Sequence, residues 1–102
     1  MIDLEAKYLD LVRRVLEAQV PEVEVRAFGS RVNGKARRFS DLDLALVGEK
    51  AIDLRRLEEL RDAFSESDLP MKVDVLDWHA ISDSFRKVID RQCEVIRKVG
   101  ET

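Results

Sequence analysis

The chain has 102 residues, of which 45% are hydrophobic and 38% charged, and its formal net charge is −3. This balance is typical of a soluble α/β domain, and it excludes a disordered chain or one whose whole surface binds polyanions. No apolar run approaches the ~20 residues that span a bilayer, no signal-peptide stretch opens the chain, and the single Cys93 cannot form an internal disulfide. We therefore expect one cytoplasmic domain over residues 1–102.

The first third of the chain carries a helix pattern and then a strand pattern. Apolar residues at three- and four-residue steps predict a helix over 3–18, with Asp3 as its N-cap and Pro21 after its end. The alternation over 23–28 predicts a strand that runs directly into Gly29. Residues 30–35 then predict a short helix or tight turn whose first N–H groups are available to an anion.

The remaining chain predicts two more strands and two more helices. Residues 41–48 have the composition of a buried central strand, and residues 72–77 alternate as a strand with Asp74 in its middle. Asp53 is the expected cap of the helix between them, whose predicted buried stripe is Leu54, Leu57, Leu60 and Phe64. A last helix, starting near Ser82 or Asp83, carries the apolar residues Ile81, Phe85, Val88 and Ile89. Residues 95–99 are expected to fray or to add a short edge strand.

Between Glu24 and Asp41 the chain has no acidic residue, and five cations fall in that interval: Arg26, Arg31, Lys35, Arg37 and Arg38. A Gly-Ser turn opens this basic stretch at Gly29, and two aspartates close it. Phosphate is bound by backbone N–H groups, hydroxyls and cations, whereas a divalent metal ion is bound by clustered hard oxygens. The segment therefore offers both halves of a metal-nucleotide site.

Asp41 and Asp43 lie two residues apart, so on a strand they project from one face with Cα atoms roughly 6 to 7 Å apart. Such a pair can bind one or two magnesium ions, and a third carboxylate from a neighbouring strand, Asp74, would complete the set. An Asp-x-Asp pair by itself also occurs on solvated strand ends. Neither an EF-hand loop nor a Walker A motif fits the surrounding residues.

The pattern Gly-Ser-Arg-x-x-Gly-x-x-Arg-x-x-Ser-Asp-x-Asp-Leu, from Gly29 to Leu44, resembles the signature of the minimal nucleotidyltransferases of the DNA polymerase beta superfamily. The order of predicted elements resembles that fold over nearly the whole chain. The resemblance implies an α/β (α+β) nucleotidyltransferase fold, with a small mixed β-sheet flanked by helices.

The resemblance also implies roles for individual residues. Gly29 and Ser30 would hold the nucleotide triphosphate, and Arg31 and Arg37 match commonly basic positions of the motif. Asp41, Asp43 and Asp74 match the metal-binding and catalytic carboxylates, of which the third assists deprotonation of the acceptor hydroxyl. Many relatives have a basic residue where this chain has Asn33, a departure that affects the triphosphate side of the site rather than the metal side.

The activity implied is transfer of AMP from ATP, with two Mg²⁺ ions, onto a hydroxyl. Domains of this kind resemble the antitoxins of two-gene modules whose toxin is a HEPN-domain ribonuclease, so the implied acceptor is a tyrosine of that toxin. A homo-oligomer and a hetero-oligomer are both compatible with this scheme, and neither a membrane nor direct nucleic-acid binding is expected. Trp78 and His79 are candidates for lining a base pocket or an interface. The alternative interpretation is core packing for Trp78 and a solvated helix start for His79.

Two other functions are compatible with the same residues. In one, the protein is a non-catalytic, nucleotide-binding antitoxin that neutralises its partner by forming a complex. In the other, the acceptor is a small molecule or an RNA end, although the short chain and the negative net charge count against RNA.

Overall fold

The structure, a computed structural model, describes residues 2–99, so positions 1 and 100–102 of the predicted domain lie outside the described residues. Its helices are α1 (Ala6–Gln19), α2 (Ser30–Asn33), α3 (Leu54–Ser65) and α4 (Asp83–Arg91), with a 3₁₀ turn at Trp78–Ala80. Its strands are β1 (Glu24–Phe28), β2 (Leu42–Val47), β3 (Val73–Asp77) and β4 (Glu94–Arg97). None of the helices in this part of the chain is long and apolar enough to cross a membrane.

The four strands form one mixed sheet in the order β3-β2-β1-β4. Strand β1 is antiparallel to both β2 and β4, whereas β2 and β3 are parallel. This topology confirms the predicted α/β (α+β) class with a small mixed sheet, and it confirms the edge strand near the end of the chain. It also places Asp43 beside Phe28 on one side and beside Asp74 on the other.

The core lies between one face of the sheet and helices α1 and α3. Its fully buried members are mainly branched aliphatic side chains, among them Val12, Leu16, Val25, Leu42, Leu44, Leu46 and Leu60. Helix α4 lies against the opposite face, where the ring of Phe85 meets the ring of Phe28 edge to face at 6.0 Å between centroids. The carboxylates of the predicted site therefore lie on the face that α4 only partly covers.

Of the two predicted helix caps, the one at Asp53 is confirmed and the one at Asp3 is wrong, while Ser82, expected near the start of the last helix, is the cap of α4. The Asp53 carboxylate accepts a hydrogen bond from the Arg55 N–H, and the Ser82 hydroxyl accepts one from the Phe85 N–H. Asp3 does not cap α1, which begins at Ala6 after Glu5.

The backbone of Asp3 is used instead to hold the start of the chain against α2. Its N–H donates to the carbonyl of Arg31 at 2.6 Å, and its carbonyl accepts from the Arg31 guanidinium at 2.9 Å. These two bonds fix Asp3 outside the helix, which is the physical reason that the predicted cap fails.

Leu54, which was predicted to be buried, is exposed, and two other apolar side chains are exposed or half-buried. Leu54 is 66% exposed because it is the first residue of α3, and Val88 is 57% exposed because it lies one helical step away from the buried Ile89. Trp78 is half-buried rather than a core residue: its ring lies between the guanidinium groups of Arg26 and Arg86, at 5.3 and 5.4 Å.

Candidate active site

The predicted carboxylates converge at one end of the β2–β3 pair. Asp43 and Asp74 are register partners on the two parallel strands, so their side chains lie next to each other on the same face. Asp41 is exposed and stands one residue before β2, so the strand begins one residue later than predicted. Asp41 and Asp43 are still only two residues apart. The geometry thus brings Asp43 and Asp74 together as neighbours and places Asp41 two residues before Asp43, just outside the strand.

Asp43 occupies the least favourable electrostatic position of the three. Burial raises the pKa of the Asp43 carboxyl above its usual value, and the negative charges of Asp74 and Asp41 raise it further. Within residues 2–99, the side-chain carboxylates of Asp41 and Asp43 receive no hydrogen bond and form no ion pair. The ammonium of Lys72 lies 3.3 Å from Asp74 and offsets part of the charge there.

Gly29 is required at its position for two separate reasons. Its φ of +79° and ψ of −154° fall in a region that only glycine adopts readily. A Cβ added there would also overlap the Oδ2 atom of Asp43 and lie 3.2 Å from its Cγ. The Gly-Ser turn and the metal-binding carboxylate predicted from the sequence are therefore in direct contact, and Gly29 makes room for the carboxylate.

Ser30 starts helix α2, which is a single turn closed by bonds from the Val32 and Asn33 N–H groups to the Gly29 carbonyl. The first N–H groups of a helix have no intrahelical acceptor, so those at the start of α2 are available to an anion next to Asp43. Nucleotide binding by Gly29 and Ser30 stays a prediction, and the geometry is compatible with it.

Arg31 has a structural role that the sequence did not reveal. It is only 6% exposed, and its guanidinium donates to the carbonyl oxygens of Ser40, Asp3 and Arg38 at 3.0, 2.9 and 3.4 Å. These bonds fasten the α2–β2 loop and position the residue that precedes Asp41. The predicted contact between Arg31 and a nucleotide remains untested, and the contacts observed for this side chain are with the protein itself.

Arg37 remains exposed at the rim of the same loop. Its backbone N–H donates to the Ser40 hydroxyl at 2.8 Å, and the Ser40 N–H donates to its carbonyl at 3.1 Å, so a compact turn leads into Asp41. Asn33, the departure from the family pattern, accepts a bond from the Lys35 N–H. This bond stabilises the turn after α2. Lys35, Arg37 and Arg38 are the exposed cations of the loop.

Two residues that shape this region were missed from the sequence. Ser40 was part of the motif but had no assigned role, although a serine directly before paired aspartates is a recognisable turn signal. Asp77 is 6% exposed and accepts bonds from the N–H groups of Ile52 and His79, at 2.8 and 3.0 Å. It joins the end of β3 to the loop after β2, and no local sequence pattern indicates that role.

The donor set fits a hard divalent cation. Carboxylate oxygens are the ligands Mg²⁺ prefers. Burial, followed by repulsion from Asp74 and Asp41, raises the pKa of Asp43, and a cation beside it would favour its ionised form. Among residues 2–99, however, no three acidic, histidine or cysteine side chains are gathered closely enough to form a ready-made metal cluster. Metal binding by Asp41, Asp43 and Asp74 therefore stays a prediction.

The similarity of the chain to known proteins agrees with this geometry. Residues 12–100 match the family described as polymerase beta nucleotidyltransferase. A relative from Haemophilus influenzae, named "Probable protein adenylyltransferase MntA", is 45% identical over 101 residues, which cover 99% of this chain and 89% of the relative.

Solved structures share the fold at lower identity. A toxin-antitoxin complex with AMP-PNP contains a chain that aligns with a TM-score of 0.76 and 22% identity, over 90% of this chain and 74% of that one. An MNT antitoxin in complex with a tri-AMPylated HEPN toxin from Shewanella oneidensis aligns with a TM-score of 0.71 and 18% identity, over 94% and 74% of the two chains. At these identities, the alignments establish a common fold.

Proposed function

Because this chain belongs to the polymerase beta nucleotidyltransferase family, we propose that it transfers AMP from ATP to a tyrosine hydroxyl of a HEPN-domain toxin and acts as the antitoxin. The observation that carries the chemistry is the contact of Gly29 with the Asp43 carboxylate, next to Asp74 in register. The 45% identity to a named protein adenylyltransferase supports a protein acceptor. The fold shared with MNT antitoxins bound to HEPN toxins supports the class of partner.

In this proposal Asp41, Asp43 and Asp74 hold two Mg²⁺ ions. When bound, the metal supplies charge neutralisation on the triphosphate and on the reacting oxygens. The placement of Asp43 among negative charges is consistent with this assignment, because its ionised form is unfavourable without a cation.

The residues of the chain itself bind and orient the reactants. Gly29 and Ser30 hold the triphosphate with backbone N–H groups, and Arg37 approaches it from the exposed rim. Arg31 holds the α2–β2 loop in position through its bonds to the carbonyls of Ser40 and Asp3. During transfer, the tyrosine oxygen forms a bond to the α-phosphorus as the bond from that phosphorus to the pyrophosphate oxygen breaks. The phenolic proton passes to Asp74, which lies on the acceptor side of the pair.

The proposed reaction takes place in the cytoplasm, where ATP is available, and residues 1–102 act as a single domain. We propose that the toxin itself supplies part of the surface that positions its tyrosine.

The experiment is to incubate the protein with Mg²⁺, α-labelled ATP and the HEPN-domain protein encoded beside it, and to follow the label on a denaturing gel. We expect label on a tyrosine of the toxin, and none with the Asp41→Asn, Asp43→Asn double variant. Asp10→Asn, an exposed change on α1, is the matched control and should leave labelling unchanged.

Two results would contradict the proposal. Label on RNA or a small molecule rather than on the toxin would change the acceptor class. A double variant that forms the complex and silences the toxin as well as the wild-type protein does, with no label in either case, would establish neutralisation by binding.

A further inference from the structure

The outer edge of strand β3 is close to the proposed catalytic carboxylate. Strand β3 ends the sheet on its side, and Asp74 is its second residue. An edge strand presents unpaired N–H and C=O groups that can pair with another extended segment. An extended segment that pairs with β3 would therefore lie about 4.8 Å from the strand and next to Asp74.

The backbone groups available on that edge can be identified. The Leu42 N–H donates to the Lys72 carbonyl at 2.9 Å, so the backbone of Lys72 points toward β2. Backbone groups alternate sides along a strand, so those of Val73 and Val75 point away from the sheet. One of them, the Val75 carbonyl, accepts a bond from the Arg61 guanidinium at 3.1 Å. Among residues 2–99, no partner reaches the N–H of Val73, the carbonyl of Val73 or the N–H of Val75.

A groove lies along the same edge. It has a volume of about 560 Å³ and runs from α3 to β3. Its apolar lining includes Phe64, Leu69 and Met71, while Arg61, Asp62 and Lys72 provide charges of both signs. An extended peptide that pairs with an edge strand places alternate side chains in such pockets, which adds specificity to the backbone bonds.

We propose that an extended segment of the acceptor polypeptide pairs with β3 as an additional strand and thereby delivers its tyrosine to Asp74; this inference rests on the function proposed above. Side chains directly opposite each other on paired strands lie 4.5 to 5.5 Å apart at their Cβ atoms. A tyrosine opposite Asp74 can lie across that carboxylate toward Asp43, whereas a serine at the same place is too short. The Arg61 guanidinium donates to one carbonyl of this edge, that of Val75, and the added segment would compete for it.

The variant that tests the added strand is Val73→Pro. Proline removes the outward N–H, and it is tolerated at the first residue of an edge strand. Val73→Ala is the matched control, because it shortens the same half-buried side chain and keeps the N–H. We expect labelling of the HEPN toxin to fall by about 10-fold in kcat/KM for Val73→Pro, through KM, and to stay within about twofold for Val73→Ala. Equal labelling by the two variants would overturn the proposal.

A second measurement does not depend on any variant folding. Hydrogen exchange of the wild-type protein, with and without the toxin, reports on the amides of Val73 and Val75 directly. We expect both amides to exchange more slowly in the complex, and unchanged exchange at saturating toxin would overturn the proposed pairing. If the wild-type protein forms the complex and protects these amides but transfers no label, the proposed function fails while the docking mode stands.

Discussion

Two carboxylates of the same sheet have opposite surroundings. Asp77, at the end of β3, is buried and accepts hydrogen bonds from two backbone N–H groups. Asp43, on the neighbouring strand β2, is half-buried, has two acidic neighbours and has no donor among the described residues. Buried charges are ordinarily paired or bound to a metal ion. Asp77 is thus a paired carboxylate of the fold, whereas Asp43 has the surroundings that the proposed cation site requires.

The strongest test of the comparison is Asp43→Asn. The amide keeps the shape of the side chain but removes the charge that would hold the metal ion, so we expect AMP transfer to fall by about 1,000-fold or more. Single-turnover labelling of the toxin with Mg²⁺ measures the effect. An equal loss of transfer in correctly folded Asp77→Asn would remove the distinction between the two carboxylates.

The variant Asp77→Ala removes the other carboxylate, and we expect it to lower the stability of the fold. It leaves the N–H groups of Ile52 and His79 without their acceptor and removes the cap of the 3₁₀ turn. We expect the free energy of unfolding to fall by about 3 kcal/mol in urea titrations. Asp68→Ala, at an exposed loop aspartate, is the control and should change it by no more than about 0.5 kcal/mol.

The glycine beside Asp43 sharpens the comparison, because the chain contains a second glycine at a similar φ. Gly34 has a φ of +82°, and a Cβ there would meet nothing within 4 Å. Gly34→Ala should therefore cost about 1 kcal/mol, from backbone strain alone. Gly29→Ala adds stronger strain and a collision with the Asp43 carboxylate, so we expect a cost about 2 kcal/mol larger and a loss of transfer. Urea unfolding of both variants checks the difference, and equal costs would show that the carboxylate moves freely aside.

The smallest expected effect is on the pH dependence of stability without metal. The pKa of Asp43 is raised in the folded state, so its ionised form destabilises the protein above that pKa, and the penalty disappears as the pH falls through it. In EDTA, Asp43→Asn should be more stable than wild type by up to about 1 kcal/mol at pH 7, with the difference vanishing in acid.

Adding Mg²⁺ in the same thermal or urea unfolding experiment should stabilise wild type and leave Asp43→Asn unchanged. A difference that stays flat with pH would contradict the prediction, because it would mean that the pKa of Asp43 is the same in the folded and unfolded states.

The sequence predicted the parts of this molecule that depend on local patterns. The cap at Asp53, the start of α4 near Ser82 and the strand that carries Asp74 follow from residue type and spacing alone. The function of the motif from Gly29 to Leu44 was accessible only by resemblance, because phosphate-binding turns and solvated loops share the same composition.

Other features could not be predicted, because they depend on contacts between distant segments. Nucleotide binding by Arg31 stays a prediction, whereas the bonds from its guanidinium to backbone carbonyls of two separate stretches of chain were not predicted. Asp77 receives one of its bonds from Ile52, 25 residues earlier. Leu54 fits the helical stripe in sequence, yet it lies at the exposed start of its helix.

The position of β4 beside β1 has a consequence for the order of events during synthesis. Strands β1, β2 and β3 and helix α2 come from residues 24–77, so the candidate site is encoded without interruption. Strand β4 must then return to β1 from about 70 residues later, as in the pairing of Val25 with Arg97. Pairings of such sequence separation form slowly. The growing chain therefore carries β1 with one unprotected edge until β4 has left the ribosome, and an unprotected edge is a site of edge-to-edge aggregation.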